Sequence, residues 1–225
     1  MRHRFPRLLP ALIVVAVPAL LIGNALWLLV SPSFVEILYG LPGIPEAIEG
    51  LSDTSARDLG ASGVGSIHPG GDGVDVLRRA RLDDGSTVFT EREISHMADV
   101  RSVTGGFFTA WAIAVVSGAG SALALWRSGR ASAVRRALRR GAGLTLAATI
   151  VLAVAMALSF GAAFESFHGV FFAGDSWRFG PDSALLKLYP EEFWTVAGAT
   201  AAVLIALQAI GLRVGTRSRA QATPG

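Results

Sequence analysis

Two histidines, each at the edge of a long apolar run, are the residues of this chain best suited to chemistry near neutral pH. His96 lies in Phe89-Thr-Glu-Arg-Glu-Ile-Ser-His-Met-Ala-Asp-Val-Arg101, just before one run. His168 lies in Phe164-Glu-Ser-Phe-His-Gly-Val-Phe-Phe172, just after another. An imidazole exchanges a proton near neutral pH. If both runs cross a bilayer, both rings meet the same outer surface, at the level of lipid head groups and ester bonds. The chemistry implied is proton transfer on a lipid.

The neighbours of these rings are ionisable. On a helix, Arg92, His96, Asp99 and Val103 share one face, because three- and four-residue spacings line up. Asp99 or Glu93 is placed to orient the His96 ring and to stabilise an imidazolium, the usual work of a carboxylate behind a catalytic base. Glu165, three residues before His168, is the corresponding candidate for the second ring. Arg92, Arg101 and Arg178 stand in acidic surroundings. They either pair with Glu93, Asp99 or Asp175, or contact a phosphate or carbonyl oxygen of a substrate. His68 before Pro69 and His3 among arginines read as loop and tail residues. Ser95 and Ser166 adjoin motif histidines or lie near them, but close neighbours on a helix do not face one another. There is no G-x-S-x-G elbow, phosphate-binding loop or H-E-x-x-H pattern.

The elements that position these groups are membrane spans. Apolar residues make up 52% of the 225 and charged residues only 16%, and the mean hydropathy is +0.50, which is membrane-protein composition. Four runs reach the length of about 20 residues that a spanning helix needs: Leu8–Val30, Phe107–Leu125, Leu144–Ala163 and Thr195–Leu212. The first follows Met1-Arg-His-Arg-Phe-Pro-Arg7 like a secretory signal. Its length, the lack of an Ala-x-Ala site and three further spans favour a retained helix.

Charge orients the spans. All 17 acidic residues fall in segments 31–106 or 164–193. The loop between spans two and three instead carries Arg127, Arg130, Arg135, Arg136, Arg139 and Arg140, and the ends carry Arg2, Arg4, Arg7, Arg213, Arg217 and Arg219. Lys and Arg beside spans mark the cytoplasmic side, so both termini are expected inside and both acidic segments outside. The sequence pI of about 10.1 therefore points to anionic lipid and not to nucleic acid. With no cysteine, thiol nucleophiles and structural disulfides are excluded.

The expected fold class is an all-α membrane protein, a single integral domain over residues 1–225. It has four transmembrane helices and a small extracytoplasmic capping region, 31–106, between the first two. Within that region Phe34–Gly40 reads as an interfacial strand or amphipathic stretch, and Leu41-Pro-Gly-Ile-Pro45 as a turn. Pro45–Leu51, Thr54–Leu59 and Val74–Arg81 read as short helices, the second capped by Ser52 or Asp53. Thr90 with Glu93 forms a capping box that starts the helix of His96, and Gly105-Gly106 permits a bend at the membrane surface. The second outer segment, 164–193, is dense in aromatics, which collect at the bilayer interface.

The run Phe-Thr-Glu-Arg-Glu-Ile-Ser-His-Met-Ala-Asp-Val before span two resembles a bacterial membrane family, the lipoprotein intramolecular transacylases (Lit). So does Phe-His-Gly-Val-Phe-Phe…Trp-Arg-Phe…Leu-Tyr-Pro-Glu-Glu-Phe-Trp before span four. The resemblance implies that His96 and His168 are catalytic. It implies a diacylglyceryl lipoprotein substrate whose sn-2 acyl chain moves to the free amine of its N-terminal cysteine, giving an N-acyl lyso-lipoprotein in the bacterial cell membrane. No cofactor and no metal are implied. Ester and amine belong to one molecule, so positioning makes the step unimolecular. What remains is a base for the amine and a donor for the oxyanion and leaving alkoxide, and two imidazoles suffice. On the residues alone two other readings stay open. One is a bis-histidine haem electron carrier, with His68 as a third ligand in a metal-site variant. The other is a non-catalytic lipid-binding protein.

Overall fold

A computed structural model describes residues 8–217. The expectations about Arg2, His3, Arg4, Arg7 and Arg219 lie outside the described residues. In chain order the helices are α1 (Leu8–Leu29), α2 (Pro32–Leu38), α3 (Asp53–Ile67), α4 (Asp75–Arg78), α5 (Glu91–Arg127), α6 (Ala131–Leu158), α7 (Phe160–Phe171), α8 (Ala184–Leu188) and α9 (Glu191–Gly215). Among the described residues the only β pairing is an isolated antiparallel bridge between Arg81 and Thr87.

Four of these helices, α1, α5, α6 and α9, are long and apolar enough to cross a membrane. At about 1.5 Å per residue, the 22 residues of α1 match a hydrocarbon core of about 30 Å. The 37 residues of α5 far exceed it, so its charged first turns stand clear of the apolar stretch that begins at Phe107. Val116, Ile150, Val151, Leu152 and Leu207 are exposed on these helices. Apolar surface of that extent is covered by lipid in a membrane protein. The fold is an all-α membrane protein.

Several local expectations change. Phe34–Gly40 is not a strand: Ser31 caps α2 by accepting from the Phe34 amide, with Pro32 at the first turn, where proline is preorganised. Pro45–Leu51 forms turns instead of a helix, and the helix expected over Val74–Arg81 shrinks to Asp75–Arg78. The helix at Thr54 runs on to Ile67, and of its two proposed caps Ser52 does the capping, accepting from the Ser55 amide at 3.1 Å. The helix α5 continues through Gly105-Gly106. The third span ends at Leu158 and not at Ala163. Ser159 leaves the helical conformation there and caps a new helix, α7, by accepting from the Ala162 amide at 3.4 Å.

The chain forms two compact units. The smaller comprises residues 8–24, 110–152 and 202–217. In it Asn24 donates to the Gln208 side chain at 3.0 Å, and Gln208 donates to the Leu21 carbonyl at 3.2 Å. Gly141 lets α6 lie close to α1: a Cβ there would be 2.7 Å from the Val17 Cβ. Small residues at such contacts are how membrane helices approach.

The larger unit comprises residues 25–109 and 153–201. Its core gathers Phe34, Val35, Leu38 and Tyr39 of α2 and its end, Ala61 and Val64 of α3, Leu77, Phe89, Ile94 and Met97, Leu185 and Leu188 of α8, Tyr189 and Phe193. Two buried tyrosines tie it together. Tyr39 donates to the Leu188 carbonyl at 2.9 Å, and Tyr189 donates to the Gly60 carbonyl at 2.7 Å. Gly60 makes room for this: a Cβ there would lie 1.8 Å from the Tyr39 hydroxyl oxygen.

Candidate active site

His96 enters the larger unit on the second turn of α5. The capping box that starts the helix is formed: Glu93 accepts from the Thr90 amide at 2.8 Å, and the Thr90 hydroxyl accepts from the Glu93 amide at 3.3 Å. His168 sits in the last turn of α7. The aromatic residues of α7 alternate in exposure: Phe167 and Phe171 face outward, and His168 is buried.

The fold brings the two rings together from 72 positions apart. Their centroids are 6.2 Å apart and the planes are inclined by only 28°. Both are buried, His96 to 8% exposure and His168 to 9%. Aromatic rings enclose them. Phe172 and Phe179 present edges to His96 at 4.9 and 5.5 Å. Phe164 lies at 3.9 Å and Trp177 at 4.8 Å from His168.

The hydrogen bonds fix one tautomer. His168 Nδ1 is 2.8 Å from the Phe164 carbonyl oxygen, which only accepts, so Nδ1 carries the proton and Nε2 keeps its lone pair. On His96, Nδ1 is buried and finds no partner; the same is true of the Trp177 indole nitrogen. Buried polar atoms without partners are rare and call for an explanation. Here two converge on one aromatic chamber.

Burial disfavours the charged imidazole. It pushes His96, which precedes the apolar stretch of α5, down to about 4; His168 acts in the same direction and Asp99 weakly opposes it. Burial also lowers His168, against the pull of its bond to the Phe164 carbonyl. Both rings are therefore neutral at pH 7. The unfolded chain protonates these rings near the usual 6.5 while the fold resists it, so their contribution to stability is fully present above about pH 6.5 and is lost below it, for His96 as pH falls toward about 4. Thermal melting in detergent should show that decline, and a His96→Gln/His168→Gln double variant should flatten it. An unchanged slope would assign the decline to other groups.

The expected supporting residues take distinct places. Glu93 is 3% exposed and turns away from His96. One carboxylate oxygen accepts from the Thr90 amide and hydroxyl, the other from the Ser183 hydroxyl at 2.5 Å and the Leu185 amide at 3.2 Å. Asp99 is exposed and acts on His96 through its charge. Glu165 pairs with Arg178 at 3.8 Å. Arg178 also pairs with Asp175 and covers the Trp177 ring at 4.9 Å. Arg92 donates to the Asp175 carbonyl and lies 5.5 Å from the Phe179 ring centre. Arg101 donates to the carbonyls of Ser66 and Gly71. His68 packs edge-on against Trp27 at 4.5 Å. Among the described residues, no three His, Cys, Asp or Glu side chains are grouped to hold a metal ion. In the sequence Trp177 is one aromatic among the many of segment 164–193. Its place against His168 depends on the fold of the loop.

The family model described as lipoprotein intramolecular transacylase Lit matches residues 75–194, more than half the chain and including both histidines. The chain belongs to the Lit family. It is accordingly an enzyme, a membrane acyltransferase of the lipoprotein intramolecular transacylase type. An uncharacterized protein of Aquifex aeolicus (strain VF5) is 26% identical over 195 residues, covering 84% of this chain and 83% of the relative. The fold matches the in meso structure of Lit from Bacillus cereus with a TM-score of 0.72 at 17% identity, over 92% of each chain. A histidine-to-alanine variant of that protein matches with a TM-score of 0.70 at 18% identity, over 94% of this chain and 91% of the other.

Proposed function

We propose that this Lit-family enzyme moves the sn-2 acyl chain of a diacylglyceryl lipoprotein to the amine of its N-terminal cysteine, with His96 and His168 as the catalytic pair. The observation that carries this reading is two buried, neutral imidazoles held 6.2 Å apart, one with its Nδ1–H tied to a carbonyl. The amine nitrogen attacks the ester carbonyl carbon. His168 Nε2 takes the amine proton, and the N–H of neutral His96 donates a hydrogen bond to the oxyanion. The ester C–O bond then breaks, and the His168 imidazolium returns its proton to the leaving glycerol oxygen. Neither ring ends with a net change, and the products are an amide and a free hydroxyl. The aromatic chamber supports the reading in two ways. It excludes water, which would hydrolyse the ester, and its low polarity strengthens each hydrogen bond to developing charge. Asp99 and Arg92 act at the rim of this site through charge.

The same reading places the protein in the bacterial cell membrane, with both termini cytoplasmic and segments 31–106 and 164–193 outside. Reporter fusions at His68 and Asp182 should then read outside and at Ala133 inside; a cytoplasmic signal at His68 would put the imidazoles at the wrong leaflet. The decisive experiment for the activity is mass spectrometry of lipoprotein N-termini from a bacterial host that lacks an endogenous lipoprotein N-acylating enzyme and expresses this chain. N-acyl lyso-lipoprotein is the expected product. Only diacylglyceryl lipoprotein with a free amine would overturn the assignment.

A further inference from the structure

The smaller unit carries a feature that the reaction does not use. A groove of about 1140 Å³ opens on it, larger than the roughly 300–1,000 Å³ of common small-molecule sites. It is lined by Pro10, Ala11, Val14 and Val15 of α1, by α6, and by Arg213 of α9. From α6 come Arg136, Arg139, Arg140 and Gly143, whose three- and four-residue spacing puts them on one face. Arg213 reaches across to the same face, where it donates to the Arg139 carbonyl at 3.3 Å. Gly143 leaves the space for it: a Cβ there would lie 2.5 Å from the Arg213 Nη1. Three helices thus assemble a chamber with an apolar wall and a cluster of four guanidiniums.

Charge identifies the occupant. The three chain segments of this unit contain no Asp or Glu at all. Among the described residues, the ion pairs join Arg78 to Asp75 and Glu91, and Arg178 to Glu165 and Asp175; none involves the groove. Guanidiniums gathered without a carboxylate repel one another, and they lie beside apolar surface that lipid covers. A phosphate with acyl chains satisfies both walls at once, because arginine forks bind phosphate oxygens in pairs and basic pockets between membrane helices bind anionic head groups.

We propose that the groove lined by Arg136, Arg139, Arg140 and Arg213 is a binding site for an anionic phospholipid, distinct from the histidine chamber. Its counter-charge stabilises this unit. The test uses the full chain purified in neutral detergent. Binding of dioleoyl phosphatidylglycerol is followed by native mass spectrometry and by thermal melting. Dioleoyl phosphatidylcholine and inorganic phosphate serve as comparison probes. Phosphatidylglycerol should be retained and should raise the melting temperature, and the other two should not. Arg136→Gln/Arg140→Gln/Arg213→Gln should weaken retention on the order of a hundredfold. The charge-matched control Arg127→Gln/Arg130→Gln/Arg135→Gln should bind like the wild type, because none of these residues lines the groove. Circular dichroism confirms that both triple variants keep their helices. If either variant loses them, Gly143→Leu, which fills the place of the Arg213 guanidinium without changing charge, supplies the test by the same loss of retention. Equal loss in the control, equal retention of phosphatidylcholine, or an equal effect of inorganic phosphate would each overturn the proposal.

Discussion

His96→Ala and His168→Ala are each expected to lower the proposed sn-2-to-N acyl transfer by about 10²–10⁴-fold, the usual contribution of a positioned acid–base group, while the protein stays folded in the membrane. On the proposed mechanism the two losses should not add, because groups that act as a unit are non-additive when removed together. The readout is the ratio of lyso-lipoprotein to diacylglyceryl lipoprotein by mass spectrometry. His68→Ala is the matched control. His68 bonds through Nδ1 to its neighbouring Pro69 carbonyl and packs on Trp27, so transfer should stay close to the wild-type rate. A His168→Ala variant with undiminished transfer would remove the base from the mechanism. Equal losses in the His68 variant would show that the assay responds to damage of the larger unit in general.

Glu93→Ala should cost a few kcal/mol of stability, since each buried donor left without an acceptor costs about 1–3 kcal/mol. Four donors converge on its carboxylate: the Thr90 amide and hydroxyl from its own helix start, and the Ser183 hydroxyl and Leu185 amide from the start of α8. Alanine leaves the buried Leu185 amide and the Ser183 hydroxyl without an acceptor. Glu93→Gln is also destabilising, because an amide NH₂ must face one of the two donor pairs. Denaturant or thermal unfolding in detergent gives the measurement. A catalytic carboxylate would behave in the opposite way, with transfer lost and the melting temperature unchanged. That contrast separates a residue that holds His96 in place from one that acts on it.

Four long apolar runs are legible because a bilayer demands length and continuous hydrophobicity, and both are local properties. The capping box of Thr90 and Glu93 is legible for the same reason, since donor and acceptor lie within one helical turn. The two histidines stand out because few residue types titrate near neutrality. Local spacing failed where a single side chain overrode a pattern. Apolar residues continue from Leu158 to Ala163, yet Ser159 ends α6 and starts α7, which gives His168 its own short helix.

Only the tertiary structure brings the imidazoles of α5 and α7 to 6.2 Å, because periodicity carries no information about which faces of distant helices meet. The same holds for Glu93. Its spacing to His96 invited an orienting role, but the carboxylate had a second set of donors at residues 183–185, more than eighty positions away. A carboxylate buried with four donors satisfies its charge there, and no local rule could weigh that against a histidine three residues along. The place of Trp177 against His168 follows likewise from loop packing around the rings, whereas the His168 tautomer is set within its own helix by the Phe164 carbonyl four residues back. What the chain's local chemistry determines is which groups are capable of the reaction; packing decides which of them face each other.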